Sequence, residues 1–148
     1  MKTLSNKDKK AFADKVSSAI MEKKDMFQYD EKNRVYLING NAAFIESDSG
    51  VIFPFLKSEN TDFTKYSDAI IDMPAVPFIC NGADLLRPGI VRMGEFSKGD
   101  VVIIRDEKNN VKLAVMQALF DWEEAKAMQK GRIAKSLHYF NDTYWKEY

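Results

Sequence analysis

Several features on which enzymes and secreted proteins depend are scarce in this sequence. The single cysteine, Cys80, excludes an internal disulfide and a multi-cysteine zinc site, and the single histidine, His138, excludes an HExxH pair. Neither GxxxxGK[ST] nor GxGxxG is present, so nucleotide phosphate binding has no support. No apolar run approaches the length of a membrane span or follows the lysine-rich start as a signal segment would. We therefore expect a cytoplasmic, non-enzymatic protein that uses no metal, no cofactor and no membrane.

The chain also lacks a net charge. Lys+Arg and Asp+Glu both number 22 in 148 residues, and 45% of the residues are hydrophobic. This composition is that of an ordinary globular protein with a real core. Binding to a nucleic acid would therefore depend on a local patch of cations and not on the field of the whole protein.

The first 73 residues predict a small α+β domain. Ser5 and Asp8 form a capping-box pattern that opens a helix over about residues 6–24. Asn39-Gly40 is a strong hairpin signal between two apolar strands, and Pro54 marks an edge strand or its end. The pattern breaks at residues 72–75, so we place the domain boundary after Met73.

Residues 74–148 predict a strand-rich second domain. An apolar strand over Val76–Cys80 is followed by a helical turn over Gly82–Arg87, a Pro88-Gly89 corner and a second apolar strand at Ile90-Val91. Further strands are predicted over 101–105, 111–118, 132–139 and 144–146, with a helix from Asp121 to about Lys130 and Gly131 as its C′ residue. Val111, Leu113 and Val115 alternate as in a half-buried antiparallel strand. Six short strands favour a small closed or nearly closed barrel.

Cations and aromatic residues give this domain a candidate binding surface. Arg87, Arg92 and Lys98 flank the two loops around the second strand, where they would meet a phosphate backbone. Tyr139, Phe140, Tyr144 and Trp145 form an aromatic tail that would either stack on bases or fill the barrel core. From spacing alone, a purely structural corner remains the alternative interpretation.

Three stretches carry a resemblance to a known family. They are Val76–Ile90, which contains Gly-Ala and Pro-Gly-Ile; Phe96–Val102, which contains Lys-Gly-Asp-Val-Val; and Gly131 with Leu137–Trp145. Together they resemble the PUA domain of pseudouridine synthases and archaeosine transglycosylases. The ending, with Leu37–Ile45 and Val51–Leu56 before it, is similar to archaeal stand-alone PUA proteins and to the eukaryotic malignant T-cell-amplified-sequence and ligatin translation factors.

The resemblance implies a fold and a binding site. The fold would be a pre-PUA α+β domain (1–73) followed by a PUA-type β pseudobarrel with short helices (74–148). RNA would be held by the helical turn, the Pro-Gly loop and a late strand. Carried over by position, this implicates Gly82, Ala83, Asp84, Arg87, Pro88, Gly89, His138 and Tyr139, to which charge adds Arg92 and Lys98.

The same resemblance implies a role in translation, with one departure from the family pattern. Contacts to tRNA, near its acceptor end, or to ribosomal RNA are expected, together with the small ribosomal subunit and a translation-factor partner. Where the family often has Asp-Lys-Gly-Ala, this chain has Asp72-Met73-Pro74-Ala75 and so lacks a candidate phosphate contact. The alternatives are a protein-interaction adaptor and an accessory subunit of an RNA-modifying enzyme.

Overall fold

Two separate sheets organise the chain. A computed structural model describes residues 1–148. The chain divides into a first unit, Met1–Lys65 with Tyr148, and a second unit, Tyr66–Glu147. Each unit combines helix and sheet, so the predicted α+β class is confirmed.

The first unit is a five-stranded antiparallel sheet with one helix. Its strands follow chain order, β1-β2-β3-β4-β5. The elements are β1 (Lys2–Thr3), α1 (Asn6–Lys15), β2 (Phe27–Asp30), β3 (Val35–Ile38), β4 (Asn41–Glu46), β5 (Ile52–Pro54) and a 3₁₀ turn (Phe63–Lys65). The sequence patterns do not predict β1 and β2.

Local sequence explains the turns of this unit. Asn39 and Gly40 have φ of 52° and 82°, as a two-residue hairpin turn requires, so the predicted hairpin is confirmed. The Oγ of Ser5 accepts the N–H of Asp8, whose carboxylate accepts the N–H of Ser5, which confirms the capping box. The helix, however, ends at Lys15 and not near residue 24, because the chain leaves helical geometry at Val16.

The second unit is a six-stranded sheet that curls into a nearly closed pseudobarrel. Its strand order is β7-β11-β10-β9-β6-β8, with β6 parallel to β9 and every other pair antiparallel. The outermost strands β7 and β8 are joined by only Arg87–Gly89, so the two edges lie close together. Short, mutually protected edges are the usual benefit of such closure.

The elements of the second unit complete the chain. The strands are β6 (Ser67–Ile71), β7 (Leu85–Leu86), β8 (Ile90–Met93), β9 (Val101–Asp106), β10 (Lys112–Ala118) and β11 (Arg132–Tyr139). The helices are α2 (Val76–Ile79), α3 (Trp122–Ala127) and α4 (Thr143–Glu147), with 3₁₀ turns at Met73–Ala75 and Arg87–Gly89. Strand β6 pairs with β8 and β9 of this sheet, although it lies within the first 73 residues, which the sequence predicts to form the first domain. The domain limits 1–73 and 74–148 stay a prediction.

The segment before the corner is a helix and not a strand. Asp72 accepts the N–H of Ala75 at 3.0 Å, and the segment continues from a 3₁₀ turn into α2. Pro74 and Pro77 lie at the first helical positions, where a proline costs no hydrogen bond. The predicted strand over Val76–Cys80 is therefore wrong, although Asp followed by Met-Pro was a helix-start signal.

Three further predictions in this unit are wrong. Residues 82–87 form a left-handed turn and then β7, not a helical turn, and the predicted strand 144–146 belongs to α4. Helix α3 ends at Ala127 because Met128 is extended, so Gly131 is not its C′ residue; with φ of 99° it instead turns the chain into β11. Asp121 is the N-cap residue of α3, but its side chain does not cap the helix, since its Oδ1 accepts the N–H of Lys98 at 2.8 Å.

The second core lies between the curled sheet and its short helices. Ile71, Ile104, Met116 and Ile133 are fully buried and pack with Ala125 of α3. Leu113 to Met116 are all buried, while Val111 is half-exposed. The expected half-buried alternation of β10 is thus wrong, because this strand lies in the middle of a curled sheet that is covered on both faces.

Candidate nucleic-acid interface

The corner between α2 and β8 turns on Gly82. Gly82 has φ of 92°, and the N–H of Ala83 donates to the carbonyl of Phe78 at 3.0 Å. A Cβ at Gly82 would lie 3.1 Å from Cε1 of the Tyr139 ring. Only glycine therefore satisfies both the left-handed backbone and the close approach of Tyr139. The fold thus brings Gly82, Ala83 and Tyr139 together, as the resemblance implies.

Asp84 fastens this corner to β11. Its Oδ1 accepts the N–H of Ser136 at 2.8 Å, and its Oδ2 lies 2.9 Å from Nη1 of Arg132. Both carboxylate oxygens are therefore engaged within the fold. Asp84 positions the loop, and its side chain is not a free acceptor for RNA.

Arg87 is held at the corner mainly by its backbone. Its N–H donates to the carbonyl of Gly131 at 2.9 Å, while its Nη2 makes only a long 3.5 Å bond to the carbonyl of Lys126. Its Nε is buried and has no hydrogen-bond partner. Pro88 is exposed beside it, and a Cβ on Gly89 would lie 3.1 Å from Cβ of Ala75. The corner therefore presents a cation whose hydrogen-bonding capacity is largely unused.

Arg87 and Arg92 line one groove together with residues that the sequence analysis did not single out. This basic groove, of about 290 Å³, is lined by Arg87, Ile90, Val91, Arg92, Met93, Trp122 and Lys126. Nζ of Lys126 lies 4.9 Å from the centroid of the Trp122 ring, a cation–π distance. Trp122 and Lys126 are four residues apart on the predicted helix, and this spacing alone indicates that the two side chains can contact each other.

Lys98 does not join this groove. It lies in the exposed turn before β9, and the structure places carboxylates near that turn. A second groove, of about 490 Å³, is lined by Glu95, Phe96, Ser97, Asp100, Asp121, Trp122 and Glu123. We call this second groove the acidic groove; Trp122 lines it as well as the basic groove. No group of three or more histidine, cysteine or acidic side chains in the chain is placed to hold a metal ion.

His138 is buried, with a side chain that is 0% exposed. Its Nδ1 lies 2.7 Å from Oδ2 of Asp142, which also accepts the N–H of Tyr139, while Oδ1 accepts that of Trp145. Burial alone would raise the pKa of Asp142, but the hydrogen bond and charge of His138 and the two backbone donors hold that pKa below its ordinary value. His138 can therefore support the strand that carries Tyr139, but it does not reach the surface.

The aromatic tail does not form one platform. Tyr139 packs against Gly82, and Tyr144 contacts the His138 ring edge-on at 5.8 Å. Phe140, which is half-exposed, lies 4.8 Å from Trp145 between ring centroids. Of the four aromatic residues, Tyr139 alone lies at the corner described above.

Known proteins share this architecture. The PUA domain family matches residues 68–140. An uncharacterised protein of Methanocaldococcus jannaschii is 33% identical over 112 residues, or 75% of this chain and 68% of the relative. Translation machinery-associated protein 20 of Saccharomyces cerevisiae is 25% identical, over 82% of this chain and 70% of its own length. The crystal structure of a hypothetical protein of Pyrococcus horikoshii matches with a TM-score of 0.79 and 30% identity, and the match covers 98% of this chain and 97% of that one.

The curled six-stranded sheet, with a glycine corner between its edge strands, defines a small β pseudobarrel domain. The chain belongs to the PUA-domain proteins, and the resemblance inferred from its sequence is confirmed. This membership implies RNA as the class of ligand. No helix of the chain has both the length and the apolar composition needed to cross a bilayer.

Proposed function

We propose that this protein is a non-enzymatic, cytoplasmic RNA-binding factor that contacts the acceptor end of tRNA or ribosomal RNA during translation initiation or recycling. The observation that carries the proposal is the corner itself. Gly82 turns tightly against Tyr139, and Arg87 follows with its guanidinium largely unpaired. The name of the yeast relative, a translation machinery-associated protein, supports the process. The small ribosomal subunit and a second translation factor are the proposed partners.

The proposed interface keeps the residues implied by the sequence but divides their roles. Exposed or half-exposed groups would touch RNA, whereas Asp84 and His138 would act by positioning, because their polar atoms are engaged inside the fold. Lys98 would contribute least, since the acidic groove lies beside its turn. The direct contacts would be Gly82, Ala83, Arg87, Pro88, Gly89, Arg92 and Tyr139.

Binding of tRNA with and without its 3′ CCA end tests this function. Fluorescence anisotropy at two salt concentrations would compare the wild type, Arg87→Gln, Gly82→Ala and the control Lys108→Gln, which removes a cation from the exposed β9–β10 turn. We expect tighter binding of tRNA that carries CCA, and weaker binding by both corner variants but not by the control. Arg87→Gln should also make the dependence of log K on log salt shallower by about one unit.

Met73→Lys adds a second arm to the same experiment. Met73 lies exposed in the 3₁₀ turn beside the corner, at the position where the family often has lysine. If the departure at residues 72–75 weakens RNA binding, this variant should bind tRNA more tightly than the wild type. Absence of tRNA binding at any salt concentration, or an affinity for tRNA that neither Gly82→Ala nor Arg87→Gln changes, would contradict the proposed interface.

One observation favours the adaptor alternative as a second candidate function. In the first unit, a groove of about 580 Å³ beside α1 is lined by two apolar residues, four lysines, Asn6 and one acidic residue: Ala13, Met21, Lys7, Lys9, Lys10, Lys23 and Glu22. Such a surface suits a partner protein with an acidic, partly apolar segment. Retention of a translation partner by variants that no longer bind RNA would support this role.

A further inference from the structure

The arginines of this chain fall into two groups. Arg34, Arg105 and Arg132 each pair with an aspartate, at 3.0, 3.6 and 2.9 Å. Arg87 and Arg92 pair with no carboxylate, and both line the basic groove. Guanidinium groups bind phosphate and carboxylate strongly, so two arginines without a carboxylate partner in one groove favour binding of an external anion.

Lys126 adds a third cation in a fixed position. Its ammonium lies over the Trp122 ring, and its carbonyl accepts the long bond from Nη2 of Arg87. The lining of the groove contains no acidic residue. Since one face of the indole is already occupied by Lys126, the groove suits a phosphate better than a stacked base.

The acidic groove limits how far a bound polyanion can extend in one direction from the basic groove. Glu95, Asp100, Asp121 and Glu123 line it, and Trp122 is shared by both grooves. A polyanion that follows the basic groove would therefore be repelled beyond Trp122. Arg87 connects the basic groove to the corner, because its side chain lines the groove while its backbone belongs to the corner turn.

We propose that the groove formed by Arg87, Arg92, Lys126 and Trp122 is a phosphate-binding subsite that holds the backbone of a single-stranded RNA segment as it leaves the corner. This inference rests on the proposed function for the identity of the polyanion. The subsite extends the RNA footprint from the corner along β8 and α3. Lys126 and Trp122 thereby become part of the interface.

Trp122 provides a local reporter for the test. The chain has two tryptophans, so Trp145→Phe leaves Trp122 as the one emitter, with the RNA affinity of this background as the reference. Titration with tripolyphosphate, a three-nucleotide CCA and an eight-nucleotide single strand ending in CCA would follow both Trp122 emission and affinity. Arg92→Gln and Lys126→Gln are the groove variants, and Lys130→Gln, which lies outside the groove lining, is the matched control.

We expect tripolyphosphate and the longer strand to change Trp122 emission, and the trinucleotide to change it little. Each groove variant should lower affinity for the longer strand about threefold to tenfold and make its salt dependence shallower by about 0.7 unit. In Lys126→Gln, whose side chain lies outside the proposed direct contacts of the corner, affinity for the trinucleotide should stay within twofold, and Lys130→Gln should match the reference.

Two outcomes would overturn the subsite. One is Trp122 emission that does not change on titration with either tripolyphosphate or the longer strand. The other is an equal loss of affinity for the short and long strands in Lys126→Gln, which would place this cation at the corner. Failure of the proposed function alone would give a different result. Tripolyphosphate would still bind, with an affinity lowered by Arg92→Gln and Lys126→Gln, whereas Gly82→Ala would not change the affinity for any RNA.

Discussion

Replacing Asp142 by alanine removes an acceptor on which three donors converge. Its carboxylate is bonded to His138 at 2.7 Å and to the N–H groups of Tyr139 and Trp145 at 2.9 Å each. Asp142 and His138 are both buried. A buried donor that loses its acceptor costs about 1–3 kcal/mol, and three donors lose their acceptor in this variant. We therefore expect Asp142→Ala to lower the free energy of unfolding by about 3–5 kcal/mol.

Urea unfolding followed by tryptophan fluorescence measures this loss, because Trp122 and Trp145 both lie in the second unit. Asp121→Ala is the matched control: its carboxylate accepts one N–H at an exposed site, so we expect a loss of about 1 kcal/mol or less. Asp142→Asn retains one carbonyl oxygen and should fall between the two. A loss in Asp142→Ala no greater than in Asp121→Ala would refute the reasoning.

The pH dependence of the same variants provides a second check. The pKa of Asp142 is lowered in the folded protein, since His138 and the backbone donors together outweigh the opposing effect of burial. A lowered carboxyl pKa contributes stability above the unfolded pKa of about 4 and loses it as pH falls through the folded pKa. The stability gap between wild type and Asp142→Asn should therefore shrink as the pH falls below about 4. An equal gap at pH 3 and pH 6 would contradict the lowered pKa.

Two further predictions concern packing. A Cβ on Gly94 would lie 2.6 Å from Oγ of Ser67, so Gly94→Ala should lower the free energy of unfolding in urea by about 1–3 kcal/mol. The double variant with Ser67→Ala should recover most of this loss. If it recovers none, the clash lies elsewhere. In the first unit, the Phe12 ring lies 4.7–5.4 Å from the rings of Phe27, Tyr36 and Phe44. Phe12→Ala should therefore cost about 3–5 kcal/mol and speed hydrogen exchange of β3 and β4 amides, whereas Ile20→Ala, at an exposed site, should change exchange little.

Local signals in the sequence were sufficient where a few neighbouring residues decide the geometry. Asn39-Gly40 predicted its hairpin turn, and Ser5 with Asp8 predicted the helix start. Strand β11 runs from Arg132 to Tyr139, as its pattern predicted. The family was also recognisable from sequence, because its motifs at Val76–Ile90 and Phe96–Val102 are continuous stretches of the chain.

Short apolar runs do not determine the secondary structure, because the periodicity of four or five residues cannot distinguish a strand from a turn of helix. Residues 76–80 form helix because Asp72 caps the segment and two prolines fit its start. Residues 144–146 belong to a helix whose beginning is tied down by Asp142, which the buried His138 holds in place. In the second case the deciding contact is a buried hydrogen bond between His138 and Asp142, which a sequence pattern does not display.

The sequence by itself determined the turns, the helix start, the strand-rich second half and the family, since each depends on residues that are neighbours in the chain. Tertiary structure alone decided which cations share a groove. Arg87 and Arg92 meet Lys126 and Trp122 there, while the acidic groove lies near Lys98. The physical reason is the order of strands in the curled sheet: it brings β8 against α3 across some thirty intervening residues, and charge pairing across such a distance has no local signature in the sequence.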